Sequence, residues 1–259
     1  MTLDPAHPFL APFARRALDL LSPMDVPGVP FVRRGRDGDG GYVQLDDLGT
    51  VHAAYSIGIG SDVSWDVAMA DLGVEIWQYD HTIARPPQSH PKFHFQSIGL
   101  AATPSGDGTF RTLDSLVAEN GHAQRNDLIL KIDIEGGEWD VLGDMPTRLL
   151  EQFSQIVVEF HKLCRLNEAE WVWRILAVLT HLHRTHQSVH VHANNWAGMV
   201  SIGGITLPNV IEVTYARRSD HAFVPCHRSF PTGLDFPNNA RWPDLDLGAM
   251  GPPEQPDEG

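Results

Sequence analysis

The sequence predicts an α/β fold with a seven-stranded, mostly parallel sheet and helices on both faces. Two observations lead to this prediction. Strand-like and helix-like segments alternate between residues 50 and 216, which is typical of parallel strands joined by helices. Residues 128–134 also form an apolar run of the kind found in strands that are buried on both faces. A chain of 259 residues is long enough to bury a sizeable core.

The first 50 residues differ in pattern from the rest of the chain. Residues 9–21 have a helical pattern, and the charged, glycine-rich segment RRGRDGDGGYV follows at residues 33–43. This segment lacks the GK(S/T) ending of a phosphate loop, and no apolar strand precedes it. We therefore predict that residues 1–50 form an N-terminal helical arm and glycine-rich cap over a ligand cleft, with Asp39 and Tyr42 as contacts.

The predicted core, residues 51–218, contains all seven strands. They are predicted at residues 53–59, 74–79, 93–98, 128–134, 155–160, 188–192 and 210–216. The core helices are predicted at residues 63–72, 113–120, 138–142 and 168–183. The last helix has the strongest pattern, because its apolar residues fall on one face. Residues 219–247 are rich in Pro, Asp and Asn and form a predicted C-terminal extension, and residues 248–259 are predicted to be a disordered tail.

The most informative segment is LILKIDIEGGEWDVL, residues 128–142. Its apolar run brings Asp133 and Glu135 to the end of a strand, and a glycine pair and a helix-like segment follow. Ligands of open α/β sheets bind beyond the carboxyl ends of the strands. We therefore expect both carboxylates at a cleft. The alternative is that one acid caps the following helix while the other is solvated.

A second segment, residues 54–73, has the pattern of a nucleoside-binding turn. Gly58 and Gly60 allow the backbone to approach a ligand closely at the first strand-to-helix turn. Such a glycine pair is also found in ordinary tight turns. The next predicted strand ends at Asp80, about 20 residues further on, where a carboxylate can accept hydrogen bonds from ribose hydroxyls. The combination favours a nucleoside cofactor.

The same residues distinguish between two cofactors. Dinucleotide-binding folds carry a third glycine where this chain has Val63. The Asp62 carboxylate would also compete with phosphate groups at the helix N-terminus. S-adenosylmethionine has no phosphate and carries a cationic sulfonium and an amine. Acidic residues around the cleft therefore favour S-adenosylmethionine over NAD.

Composition and charge exclude several classes of function. The chain has 33 acidic and 19 basic residues and a formal charge of -14, so it would repel nucleic acid and anionic membranes. Cys164 and Cys226 lie far apart without CxxC spacing and predict neither a disulfide framework nor a cysteine zinc site. The N-terminal residues lack a signal-peptide pattern, and no segment reaches the ~18 apolar residues of a membrane span. We expect a cytoplasmic protein.

Taken together, the motifs resemble those of class I S-adenosylmethionine-dependent methyltransferases, and within them the FkbM-like group and its methyltransferase-like relatives. The resemblance is carried by GIGSDVSWD, by the strand ending at Asp80, by KIDIEGGEWDVL and by VVEFH, with DGGYV and PNN further out, over roughly residues 33–240. It implies a Rossmann-like, seven-stranded class I methyltransferase fold. It also implies methyl transfer, commonly to oxygen, and here to the hydroxyl of a small molecule or glycan.

The expected site residues combine this resemblance with positions at strand ends. The predicted cofactor contacts are Ser56, Gly58, Gly60, Asp62, Asp80, Ser97, Asp133 and Glu135. The family's first strand often ends in an acid where this chain has Ser56, so Asp62 is the expected substitute contact with the methionine amine.

Transfer to a hydroxyl requires a group that accepts its proton. The candidates are Glu159 and His161, after the fifth predicted strand, and His192, at the end of the sixth. Alternatively, Asp133 and Glu159 would hold Mg²⁺, as acids at matching positions do in some sugar and macrolide O-methyltransferases, and the ion would lower the pKa of the substrate hydroxyl.

Two other functions are compatible with the same motifs. The first is an NAD-dependent Rossmann oxidoreductase, which the missing third glycine disfavours. The second is a non-catalytic module in which the cofactor pocket has only a structural role. Several of the 14 histidines cluster at the end of a predicted helix, where histidine is commonly a capping or surface residue.

Overall fold

The computed structural model describes residues 2–250 and has a seven-stranded sheet at its centre. The strands of this sheet are β1 (Ala53–Ile57), β2 (Glu75–Tyr79), β3 (Phe93–Gln96), β4 (Leu128–Ile132), β5 (Phe153–Phe160), β6 (His186–Ala193) and β7 (Ile211–Arg217). The α-helices are α1 (Ala11–Leu21), α2 (Ser64–Asp71), α3 (Leu113–Glu119), α4 (Glu138–Asp144), α5 (Thr147–Leu150) and α6 (Ala169–Thr185). Short 3-10 helices lie at Pro8–Leu10 and Leu163–Asn167.

The strand order across the sheet is β6-β7-β5-β4-β1-β2-β3. Strands β1 to β5 pair in parallel, whereas β7 is inserted between β5 and β6 and is antiparallel to both. Each of the seven predicted strands is present in this sheet, with ends that shift by one or two residues. The predicted α/β fold with a mostly parallel seven-stranded sheet is thus confirmed.

The two faces of the sheet are covered differently. One face packs against α1, α3, α4, α5 and α6 through alternate strand residues such as Tyr55, Leu130 and Val158. The other face packs against α2 through Ala54 and Ile129. Beside α2, this second face is covered by an antiparallel hairpin of the N-terminal arm, Phe31–Arg34 paired with Tyr42–Leu45. The prediction of helices on both faces is correct, but a hairpin shares the second face with its helix.

Towards the carboxyl ends of β4 and β5, this second face is polar although it is buried. Lys131, Glu159, His192 and Glu212 all lie on it, and each is at most 6% exposed. They alternate along their strands with apolar residues of the opposite face, as the two-residue period of a strand requires. The segment after β7 covers part of this polar surface, since Asn238 donates to the Glu212 carboxylate at 2.6 Å.

The remaining strands form small two-stranded sheets around the core. Their bounds are Met24–Asp25 with Val224–Pro225, Gly99–Leu100 with Phe110–Arg111, Met199–Ile202 with Ile205–Pro208, and Ser229–Phe230 with Gly248–Ala249. The last pair corrects the predicted start of a disordered tail at residue 248. Leu247 and Met250 pack against the main apolar cluster, which anchors this part of the chain. Residues 251–259 of the predicted tail lie outside the described residues.

The N-terminal arm contributes directly to the main core. Leu10, Ala14 and Leu20 are buried in the same apolar cluster as the strands and α6. Between residues 2 and 250, no helix has both the length and the apolar composition needed to cross a membrane.

Candidate functional site

A cavity of about 500 Å³ opens at the carboxyl ends of β1, β2 and β4. This is the edge of the sheet at which open α/β folds bind their ligands. Its charged lining consists of five acids and one lysine: Asp39, Asp62, Asp80, Lys131, Asp133 and Glu135. The excess of carboxylates makes the cavity better suited to a cationic or neutral ligand than to an anionic one.

The glycine turn after β1 forms the floor of this cavity. Gly58 and Gly60 both have positive φ, 73° and 48°. A Cβ atom on Gly58 would overlap the carbonyl oxygen of Asp133, whereas a Cβ on Gly60 would meet no atom within 4 Å. Gly58 is therefore needed for close contact between the turn and β4, and Gly60 only for its backbone conformation.

Asp80, at the end of β2, holds the glycine turn in place. One carboxylate oxygen accepts hydrogen bonds from the backbone N–H groups of Ile59, at 3.1 Å, and Gly60, at 2.8 Å. The other accepts from the backbone N–H and the hydroxyl of Thr82 at 2.8 and 2.6 Å. Burial alone would raise the pKa of Asp80, but these hydrogen bonds outweigh it and keep the pKa below its usual value.

Lys131 connects the turn with the end of β4. Its side chain is buried, and its Nζ donates to the carbonyl oxygen of Gly58 at 2.8 Å. The ammonium also lies 5.7 Å from the ring centre of Tyr42, a residue of the N-terminal arm. Lys131 supplies positive charge next to Asp133, which acts to lower the pKa of that carboxyl.

Asp133 and Glu159 form a pair of adjoining carboxyl groups on neighbouring strands. Asp133 lines the cavity and has the hydroxyl of Tyr42 at 3.5 Å, while Glu159 is 3% exposed and accepts from Asn194 at 2.5 Å. Burial raises the pKa of both groups, and the charge of Asp133 raises the pKa of Glu159 further, well above its usual range. Two adjoining carboxyl groups tend to share one proton. We assign that proton to Glu159, because its pKa is the one raised well above the usual range.

His161 directly follows β5; it does not line the cavity itself, but it contacts Glu135, which does. Its Nδ1 is 3.1 Å from a carboxylate oxygen of Glu138, and its Nε2 is 3.4 Å from an oxygen of Glu135. Burial acts to lower the pKa of His161, but Glu138, Asp133 and Glu135 together raise it above its usual value. Glu135 therefore links His161 to the lining of the cavity.

The donor atoms of Asp133, Glu135 and His161 lie within 4.8 Å of one another, close enough to surround a divalent ion. Glu159 adjoins Asp133 but is not part of this group, and the metal pair of Asp133 and Glu159 stays a prediction. The Glu159 side chain lies with Asn194 in the buried polar layer on the second face of the sheet, and it does not line the cavity.

Three other predicted site residues do not reach the cavity. Ser56 is fully buried within the sheet and Ser97 bonds the backbone of Ile83 on the surface. His192 is buried between the carboxylates of Glu212, at 3.0 Å from Nδ1, and Asp244, at 3.0 Å from Nε2. Burial opposes the charge on His192, yet the two carboxylates raise its pKa to about 10. A histidine that is protonated and enclosed in this way is not available as a base at neutral pH.

The glycine-rich cap does reach the cavity, as expected. Asp39, Gly40 and Tyr42 line it, so the arm closes one side of the cleft. The cap is fixed to the turn after β1 by an ion pair between Arg36 and Asp62, at 3.0 Å.

The sequence did not single out several residues that the structure places at the site. His81 and Phe110 line the cavity beyond Asp80, with ring centroids 4.6 Å apart. Glu138 lies in the first turn of α4 and is fully buried against His161. Its chain neighbours, Gly137 and Trp139, give no local signal of this burial, because the partner His161 lies 23 residues further along the chain.

Similarity to known families is limited to one part of the chain. Residues 109–184 match the model of the methyltransferase FkbM domain, which includes β4, α4 and β5 with Asp133, Glu138 and His161. The match covers less than a third of the chain and does not include the glycine turn. No curated protein is significantly similar to the chain. The resemblance predicted from the motifs is confirmed by this match, and the family to which residues 109–184 are similar is that of the FkbM methyltransferase domain.

Proposed function

We propose that the protein is an S-adenosylmethionine-dependent methyltransferase that acts on a hydroxyl of a small molecule or glycan. The observation that carries the proposal is the acid-lined cavity, in which the glycine turn and Asp80 lie beside Asp133 and Glu135. The FkbM domain match over residues 109–184 supports methyl transfer independently. We assign the sheet to the class I methyltransferase fold on the same grounds.

The cavity residues fit each part of this cofactor. We assign the ribose hydroxyls to the Asp80 carboxylate and the adenine to the ring faces of His81 and Phe110, all of which line the cavity. Asp62, on the opposite side of the glycine turn, and Asp39 supply carboxylates for the amine. When bound, the cofactor supplies an electrophilic methyl group on a positively charged sulfur, which the surrounding acids stabilise.

NAD fits the same cavity less well. Asp62 lines the cavity beside the turn, where a dinucleotide would place its phosphates. The sheet also differs from the dinucleotide-binding order 3-2-1-4-5-6, because antiparallel β7 separates β5 from β6.

The chemical step requires an aligned hydroxyl and a proton acceptor. We propose that the hydroxyl oxygen attacks the methyl carbon while its proton passes to Nε2 of His161. Bound S-adenosylmethionine would supply the methyl group for the new O–CH₃ bond, and its sulfur would keep the electron pair of the S–CH₃ bond. The products are the methyl ether and S-adenosylhomocysteine, and the enzyme retains one proton.

A divalent ion is the alternative activator of the hydroxyl. It would be held by Asp133, Glu135 and His161, whose donor atoms converge in the structure. With one imidazole and two carboxylates, this group suits Mn²⁺, Fe²⁺ or Zn²⁺ as well as Mg²⁺.

The acceptor that suits the cavity is uncharged. Five carboxylates line the cavity and the chain has a formal charge of -14, so phosphorylated and carboxylated acceptors would be repelled. We propose a polyhydroxylated acceptor, and we propose neither nucleic acid nor a membrane as a partner. The free thiols of Cys164 and Cys226 support a location in the reducing cytoplasm.

Isothermal titration calorimetry with S-adenosylhomocysteine and with NAD, each with and without Mg²⁺, tests the proposal. We expect binding of S-adenosylhomocysteine alone, in the micromolar range. Binding of NAD instead would identify an oxidoreductase and contradict the proposal. Tight binding of S-adenosylhomocysteine without methylation of any acceptor in a panel of sugars and polyols would favour the non-catalytic module, and dependence of binding on Mg²⁺ would favour the metal site.

A further inference from the structure

Glu138 is a fully buried acid whose position is fixed by two contacts. It lies in the first turn of α4 and has no exposed surface. One carboxylate oxygen accepts the backbone N–H of Ile134 at 2.7 Å and also lies 3.1 Å from Nδ1 of His161. Full burial of a carboxylate is costly unless it is hydrogen-bonded. The contact with His161 therefore helps to offset the cost of burying this carboxylate, and it joins α4 to the end of β5.

The imidazole of His161 has one buried and one exposed carboxylate partner. Nδ1 faces Glu138, and Nε2 lies 3.4 Å from Glu135, whose side chain is 88% exposed. The backbone of His161 is held as well, because the indole N–H of Trp139 donates to its carbonyl at 2.7 Å. A neutral imidazole has one N–H donor and one acceptor nitrogen, and the partner of one nitrogen determines the role of the other.

The exposed partner, Glu135, is presented by an unusual backbone. Glu135 and Lys162 have φ values of 58° and 67°, and they are the two non-glycine residues with positive φ among residues 2–250. They flank His161 and are joined, since Lys162 donates to the carbonyl oxygen of Glu135 at 2.9 Å. Such conformations cost free energy and cluster at functional sites. Here the conformation places an exposed carboxylate over Nε2.

We propose that Glu138 is a positioning residue that keeps the N–H of neutral His161 on Nδ1, so that Nε2 is free to accept the proton of the acceptor hydroxyl. The acceptor hydroxyl would take the position beside Nε2 at which the Glu135 carboxylate lies, 3.4 Å away. The role of the proton acceptor rests on the proposed function, whereas the tautomer depends on the geometry of His161 and its two carboxylate partners, of which Glu138 is the closer, at 3.1 Å against 3.4 Å.

The tautomer of His161 tests the inference without an identified acceptor. The measurement is a ¹⁵N–¹H correlation spectrum of protein labelled with ¹⁵N-histidine, recorded at alkaline pH where the ring is neutral. The His161 signals are identified by their absence in His161→Asn. A histidine without a partner favours the proton on Nε2. We expect the wild-type protein to carry the proton of His161 on Nδ1 and Nε2 to resonate as an unprotonated nitrogen.

Three substitutions separate positioning from structural support. Glu138→Met removes the acceptor and should shift His161 to a majority of the Nε2–H tautomer. Glu138→Gln retains the oxygen that accepts the N–H of Ile134 and should preserve the Nδ1–H tautomer. Glu135→Gln is the matched control, because it changes the residue beside Nε2 instead, and it should also preserve the Nδ1–H tautomer. If Glu138→Met does not fold, the spectra of the wild type and of Glu138→Gln test the assigned tautomer of His161.

Two results would overturn the inference: an Nε2–H tautomer in the wild type, or an unchanged tautomer in folded Glu138→Met. Calorimetry with S-adenosylhomocysteine on the same samples separates this inference from the proposed function. We expect the dissociation constant to change less than about threefold in Glu138→Gln. An Nδ1–H tautomer in a protein that does not bind S-adenosylhomocysteine would overturn the role in methyl transfer, and binding with an Nε2–H tautomer would overturn the role of Glu138.

Discussion

Asp80 shows how much a single carboxylate does at this site. A carboxylate offers about four acceptor positions, and Asp80 already accepts from Ile59, from Gly60 and twice from Thr82. The two bonds from the glycine turn stabilise the cavity floor. The bond from the Thr82 hydroxyl is replaceable, because a ribose hydroxyl can take the same position. Asp80 thus fixes the turn, and under the proposed function it would also accept a hydrogen bond from the cofactor.

This arrangement predicts the effects of substitutions at Asp80 and Thr82. Asp80→Ala removes the ribose contact and releases the turn, and should weaken S-adenosylhomocysteine binding by about 1.5–3 kcal/mol in calorimetry. Thr82→Val removes only the competing hydroxyl and should leave the affinity unchanged or higher. Ser97→Ala, away from the cavity, is the control. Equal affinity in wild type and Asp80→Ala would show that Asp80 does not contact the cofactor.

The glycine turn between β1 and α2 is the element that forms the floor of the cavity. Both of its glycines were predicted from the sequence as positions of close approach. The structure separates them, because only Gly58 contacts the backbone of β4, while Gly60 faces open space. The local pattern indicates a turn, but it does not show which other strand lies against it.

The difference between the two glycines predicts unequal effects of alanine. Gly60→Ala meets no atom and should cost only the strain of a left-handed residue, about 1–2 kcal/mol. Gly58→Ala adds an overlap with Asp133, which should raise the loss of unfolding free energy by a further ~1–3 kcal/mol and abolish S-adenosylhomocysteine binding. Urea denaturation and calorimetry measure both effects. Similar losses in the two variants would contradict the close contact between the turn and β4.

On the scale of the whole molecule, the segment that follows β7 covers part of the buried polar surface on the second face of the sheet. His190 and His192 pair with Asp235 and Asp244 of that segment, at 2.8 and 3.0 Å. Asn195, which is 5% exposed, donates to the backbone carbonyl of Asn239 at 3.0 Å. Charged groups that would be costly to bury alone are thereby paired. This extension stabilises the core, although its composition resembles that of a loop.

The His192 ion pairs predict how stability depends on pH. Its folded-state pKa of about 10 lies above the ordinary value of about 6.5. Its contribution is therefore fully present below about pH 6.5 and is lost as the pH rises to about 10, with a ceiling of about 5 kcal/mol. Urea denaturation from neutral to alkaline pH measures this loss.

Two variants isolate the contribution of His192. His192→Asn leaves the buried Glu212 carboxylate and the partly buried Asp244 carboxylate without a cationic partner. It should lower stability at neutral pH and flatten the pH dependence. His227→Gln changes an exposed histidine and should retain the wild-type slope. A His192→Asn protein with the same slope as the wild type would show that other groups cause the alkaline loss.

The sequence by itself determined the seven strands, the main helices, the glycine turn and the acids at the ends of β2 and β4. These features depend on periodicity and turn chemistry, which act between residues close together in the chain. The tertiary structure decided which side chains share the cavity. The alternation of side chains along a strand groups residues by face, but distant segments of the chain decide what packs against each face. The sequence therefore predicted Ser56, Glu159 and His192 at the cleft, although they lie within the sheet or its polar layer. The burial of Glu138 against His161 depends on the packing of α4 against β5, and no local pattern encodes that contact.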